Sequence, residues 1–299
     1  MTNQNVAQQP FFAAMSRRRV PILCLLLIFA VIFAGVFIFA SAAATNREDV
    51  QETLNKVSAA VEAAEPVYLR LVEIVEDEVA AMDSDYDDDD DYDSEEGEAY
   101  YDELTGQISL LQSLIAGLDG LPNDLNTSEG KTVRAACEYL TMLRDMTTDL
   151  AELLRYSIDM YYSVEPMGLM DMDTDDFAII ADQIWTRCHE TKVLMEAITP
   201  PPYFAITHND MIDRITEFRD FGDDFYYACY MEDPLRMYSC VYRMTRIIRM
   251  FEICDDNLTA DLELQFRQAD RRLNGPISLL RSELNANLSV LNNALGRDQ

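Results

Sequence analysis

The chain has two histidines and one tryptophan among 299 residues, and its ten glycines are scattered singly. Each shortage removes a class of chemistry. Without clustered glycines there is no phosphate-binding loop. No Glu-x-x-His motif occurs, so the ligand set of a diiron helical bundle is missing. No CxxC or CxxCH occurs either, and "TRCHE" puts His189 after the single Cys188, which excludes haem attachment. His189 has Glu190 beside it, but adjacent helical residues do not face one another. His208 sits on an apolar stripe and reads as a hydrogen-bonded core histidine rather than as a ligand or base. No Ser/His/Asp or Cys/His arrangement can be assembled. The expectation is a protein that is not an enzyme and carries no cofactor.

Positive charge is the other shortage. Lys and Arg total 23 against 54 Asp and Glu, giving a formal net charge of −31 and a sequence pI near 4.1. Phosphate binding needs clustered Lys and Arg, so nucleic acid is excluded as a partner. Docking of the folded part on anionic lipid headgroups is excluded for the same reason. Alternation of period two is also absent over any useful length, which argues against strands.

Apolar residues are plentiful, at 49%. A core can therefore be built, and the length allows one or two domains. The strongest local signal is "SRRRVPILCLLLIFAVIFAGVFIFASAAA", uncharged from Val20 to Ala40. A helix needs roughly 20 apolar residues to cross a bilayer. Arg17, Arg18 and Arg19 precede the run and place the N-terminus in the cytoplasm. Residues 1–19 are then a cytoplasmic tail, 20–44 a transmembrane signal-anchor in the cell membrane, and 45–299 an extracytoplasmic bundle. A cleaved signal peptide is the alternative, because Ala40, Ser41 and Ala42 form an A-x-A-like site, although such apolar cores run about 7–15 residues.

The remainder reads as an all-α, multi-helix bundle of about seven helices. Val50, Leu54, Val57, Val61, Ala64, Tyr68, Leu71 and Val75 form a heptad-like seam over 46–82, with a kink or break expected at Pro66. Tyr101, Leu104, Ile108, Leu111, Ile115 and Leu118 form a matching seam that Gly120 and Pro122 end. The two seams pair as an antiparallel hairpin across an acidic loop at 83–99. A third helix starts near Ser128, and Pro166 and Gly168 mark a sub-boundary at 163–174. A fourth, from about Thr174, buries Phe177, Ile180, Ile184, Cys188, Met195 and Ile198. A fifth carries Phe204, His208, Met211, Ile215, Phe218, Phe225 and Cys229. Asp233 and Pro234 cap a sixth, with Leu235, Tyr238, Val241, Ile248 and Phe251 on its stripe. A last helix begins near "DDNLTAD" and is bent or split by Gly275 and Pro276.

The run "DSDYDDDDDYDSEEGEAYYDE" raises the question of calcium. Counted from Asp85, it offers Asp87, Asp89 and Glu96 at calcium-loop positions, but Asp90 stands where the sharp turn wants glycine. "DMDTDDFAIIAD" repeats the partial match with Asp171, Asp173, Asp175 and Asp182, and Asp176 again replaces the glycine. A solvated, self-repelling loop is the favoured reading. Weak calcium binding and attraction of a basic partner are the others. Arg236, Arg243, Arg246 and Arg249 spread over one broad face, read as solvated.

Cys137, Cys188, Cys229, Cys240 and Cys254 follow the apolar run. Cys229 and Cys240 flank a turn at "MEDP" and are the disulfide candidates of an exported chain; five buried thiols are the alternative. The stretch "LMEAITPPPYFAITHNDMIDRITEFRDF" resembles bacterial membrane-anchored or lipoprotein extracytoplasmic helical domains of unknown function, over residues 175–255. That resemblance implies an extracytoplasmic bundle and brings no catalytic residue with it. The expected function is interaction with a protein partner or a structural role, the alternative a ligand- or divalent-cation-sensing module.

Overall fold

The computed structural model describes residues 48–80, 94–171, 176–294 and 296, and among these there is helix and no strand. The helices are α1 over 48–80, α2 Ser94–Leu118, α3 Ser128–Gly168, α4 Phe177–Ala197, α5 Ala205–Tyr230, α6 Pro234–Arg272 and α7 Ser278–Ala294, with a π-helical turn, Leu273–Ile277, between α6 and α7. The proposed anchor at 20–44 lies outside the described residues. No helix within them is long and apolar enough to cross a membrane.

The first hairpin follows its spacing. Leu54, Val57, Ala64, Tyr68, Leu71 and Val75 of α1 are buried, as are Leu104, Leu111 and Leu118 of α2. Arg70 of α1 reaches Glu103 of α2 at 3.2 Å and lies over the Tyr100 ring, tying the two together. At Pro66, where a kink or break was expected, there is no break: α1 is helical on both sides of it. Pro66 and Glu62, whose carbonyl loses its donor, both face solvent, where water satisfies the orphan oxygen. The expected loop at 83–99 is shorter than its acidity indicated, because α2 starts at Ser94. Acidic residues in a first helical turn are stabilised by the unpaired N–H groups there, so "SEEGE" begins a helix as readily as it prolongs a loop.

Longest of the helices, α3 is also the central one. Seventeen of its residues are buried on a broad face, and Lys131, Arg134, Glu138, Asp149, Glu152 and Arg155 keep the opposite side exposed. It touches α2, α4, α7 and the π turn. Thr127 caps it, its hydroxyl accepting from the Gly130 N–H at 3.0 Å. Gly130 is needed because a Cβ there would fall 2.0 Å from the Asp124 carbonyl oxygen. One contiguous core runs from Val57 to Leu284 across the α3–α4 connection. Leu54 and Leu291 close a small second cluster. With the ion pair of Glu65 and Arg281, they set α7 antiparallel to α1.

Two boundaries differ from expectation. Helix α4 is capped by Asp176, whose carboxylate accepts from the Ala178 N–H at 2.9 Å, rather than by Thr174, which is outside the described residues. Helix α6 does not stop at "DDNLTAD"; it continues to Arg272, since nothing in that stretch breaks a helix. The interruption comes at Gly275 and Pro276, where the π turn absorbs the proline's missing N–H. Asp233 caps α6 as anticipated, accepting from the Leu235 and Arg236 N–H groups at 3.0 and 3.3 Å.

Candidate functional site

The residues singled out by sequence do not converge. Asp85, Asp87, Asp89, Asp173 and Asp175 lie outside the described residues, and Glu96 falls in the first turn of α2. The Asp171 N–H donates to Gln183 Oε1 at 2.6 Å. A twelve-residue calcium loop from Asp171 would run to Asp182, but 177–182 are already helical. Among the described residues no group of His, Cys, Asp and Glu is arranged to hold a metal.

His208 is locked in the core. Its Nε2 donates to the Met195 carbonyl at 3.1 Å, and its Nδ1 takes the Tyr156 hydroxyl at 3.3 Å. Both nitrogens are thus committed, and burial lowers the imidazole pKa below the ordinary value. Tyr156 stacks on Phe204 at 4.8 Å, and burial pushes its hydroxyl pKa up. The cluster joins α3, α4 and α5 as neutral hydrogen-bonding groups.

Cys229 and Cys240 are free thiols. They are close enough for Cys229 to add to the upward pKa shift that burial gives Cys240. The Cys240 thiol donates to the Asp224 carbonyl at 3.8 Å.

Two surfaces remain as places where something can bind. The first results from a rotation of α6 relative to its expected face. Leu235, Tyr238, Val241 and Ile248 were placed on the buried stripe, yet they are 83%, 77%, 65% and 47% exposed; Cys240, Ile247 and Cys254 are buried instead. Arg243 pairs with Asp224 and Arg246 with Glu217, both on α5; of the arginine face expected to be solvated, Arg236, Arg246 and Arg249 are exposed and Arg243 is half-buried. The aromatic side is turned to solvent. Tyr242 of α6 and Tyr226, Tyr227, Tyr230 and Met231 at the α5 end are exposed as well, with the Tyr226 and Tyr230 rings stacked at 6.2 Å, so exposed apolar residues gather on both sides of the α5–α6 turn. A hollow of about 540 Å³, lined by Phe177, Tyr226, Cys229 and Tyr230 among others, lies on the α5 side. Arg236 lies 4.8 Å above the Tyr227 ring.

The second surface is internal. A cavity of about 580 Å³ opens between α1, α2, α3, α5 and α6, walled by Ile74, Leu104, Leu154, Met211, Leu258 and Phe266 and their apolar neighbours. Arg70, Asp77, Glu78 and Asp255 are its charged lining. Solvent reaches Glu78, yet protein surrounds its carboxyl; the lost hydration, and next the charge of Asp77, raise its pKa. Neither surface was legible beforehand, because each depends on how α6 rolls against its neighbours.

Compared with protein-family models, curated proteins and solved structures, the chain matches none.

Proposed function

We propose that this chain is a membrane-anchored protein whose helical bundle, outside the cytoplasm, acts by binding another protein through the α5–α6 aromatic surface. The single observation that carries this reading is the exposure of Leu235, Tyr238 and Tyr242, which helical spacing puts on one face of α6, with Tyr230 exposed at the end of α5. Tyrosines supply large contact area at small entropic cost, and contiguous exposed apolar patches mark interaction sites. The partner is a different protein with a basic rim around an apolar centre: at a net charge of −31, a second copy would be repelled. The uncharged run Val20–Ala40 behind Arg17, Arg18 and Arg19 supports the anchor and its orientation, and the resemblance over residues 175–255 points the same way.

Site-specific photo-crosslinking in native membranes tests the proposal. A photoreactive residue at Tyr238 is expected to give one discrete heterologous adduct, and the same residue at Glu263 none. A crosslink to a second copy would overturn the partner assignment; no adduct from Tyr230, Tyr238 or Tyr242 would overturn the interaction reading. A ligand-binding role is the second reading, favoured by the internal cavity.

A further inference from the structure

We infer that the cavity between α1, α2, α3, α5 and α6 binds an amphiphilic cation, a molecule with an apolar body and an amine or quaternary-ammonium head. Its volume of about 580 Å³ is that of a small-molecule site, which runs about 300–1,000 Å³. The wall explains the apolar body. Ile74, Leu104, Leu154, Met211, Leu258 and Phe266 offer only carbon and sulfur. Two hydroxyls of the lining have their donors committed, Tyr156 to His208 and Ser157 to the Leu153 carbonyl at 3.1 Å. A ligand body rich in hydrogen-bonding groups would meet mostly carbon along this wall and would lose its hydration.

The charged lining decides the sign of the head. Arg70 is the one cation in the lining, and it is committed. It pairs with Glu73 at 2.8 Å and with Glu103 at 3.2 Å, and it lies 5.1 Å from the Tyr100 ring centroid. Those carboxylates cancel its charge. Asp77, Glu78 and Asp255, each exposed, then leave the lining negative. An anionic head, as in a fatty acid, meets net repulsion. A cation relieves the crowding of Glu78 against Asp77, and Tyr161 adds an aromatic ring to the wall, a surface that attracts ammonium groups. The proposal is independent of the protein-partner reading, which rests on residues 235–248 of α6, whereas the cavity uses Asp255, Leu258, Leu262 and Phe266 further along it.

Titration calorimetry on the full-length chain in phosphatidylcholine nanodiscs tests it, with empty nanodiscs as blank. The probes are octyltrimethylammonium, octyl sulfate and tetramethylammonium, all far below micellar concentration. Expected is saturable one-to-one binding of octyltrimethylammonium, with octyl sulfate and tetramethylammonium weaker by about tenfold or more. Leu258→Trp, which fills the cavity, is expected to abolish binding. Glu78→Gln and Asp255→Asn are each expected to weaken it about three- to tenfold. Tyr238→Ser is expected to leave it unchanged. If Leu258→Trp melts early, the two charge variants carry the test, since both sites are exposed. Equal binding of octyl sulfate, unsaturable uptake, binding of tetramethylammonium at equal strength, or no binding at all would overturn the proposal. So would loss of binding in Tyr238→Ser, or its retention in a folded Leu258→Trp.

Discussion

The α1–α2 hairpin and the α5–α6 hairpin are built from equally apolar helices, yet they spend their apolar residues differently. In α1 and α2 the periodic residues are buried or half-buried, and the outer faces are mainly polar, with Leu69 and Leu110 the exposed large apolar side chains. In α6 a comparable stripe faces water, and the burial falls to Cys240, Ile247 and Cys254. The contrast teaches that periodicity defines a stripe but not its direction. Where a helix has a second face able to pack, here that of Cys240, Ile247 and Cys254, the larger stripe can be left facing outward. Under the proposed function this exposed stripe is the docking surface.

The sharpest way to break the comparison is one charge in each hairpin. Leu111→Asp buries an unpaired carboxylate and is expected to cost about 4 kcal/mol or more, enough to unfold a domain of ordinary stability. Tyr238→Asp is expected to shift stability by no more than about 0.5 kcal/mol. Circular-dichroism melting of both reads the difference, and equal losses would return Tyr238 to the core. Within α6 alone, Ile247→Ala is expected to cost about 2–4 kcal/mol and Val241→Ala about 0.5 or less, in urea denaturation. The reverse order would mean that α6 is rotated to its periodic face.

A smaller effect comes from the junction between the two regions. His208→Gln is expected to cost about 1–3 kcal/mol at pH 7 through the hydrogen bonds to Met195 and Tyr156. Burial lowers the His208 pKa, so the folded state holds it neutral while the unfolded chain takes up a proton below about pH 6.5. This contribution is present above that pH and is lost as pH falls through the unfolded and then the folded pKa. The stability gap between wild type and His208→Gln should therefore narrow between pH 7 and 5. A constant gap would mean that a water or a carboxylate beside the ring holds its folded pKa at the ordinary value. Smaller again is Asp233→Ala, which removes the cap of α6 and is expected to cost about 1 kcal/mol. Because that cap also orients the aromatic turn, loss of the Tyr238 crosslink in this variant would tie the surface to its turn geometry.

The cysteines sharpen the same contrast chemically. Cys229 and Cys240 bridge the α5–α6 turn as neighbouring thiols, and an oxidising compartment is expected to close them. Mass spectrometry of the exported, unreduced chain should then show both protected from alkylation until a reductant is added. Full labelling of both would leave them as thiols and would weigh against export.

Much of the architecture was present in local pattern. Thr127 and Asp233 are caps because a short oxygen side chain reaches an unpaired N–H wherever it precedes a helix. The seams of α1 and α2 are buried because a stripe with a polar opposite face has one way to pack. His208, alone on an apolar stripe, was legible as a core group; its partners Tyr156 and Met195 were not, since each belongs to another helix. The roll of α6 needed tertiary structure, because which of its two apolar faces is covered is decided only once α5 lies alongside. The cavity needed it most. Its wall comes from five helices, and the sign of its mouth depends on Glu73 and Glu103 closing on Arg70, a cancellation of charge that exists only in three dimensions.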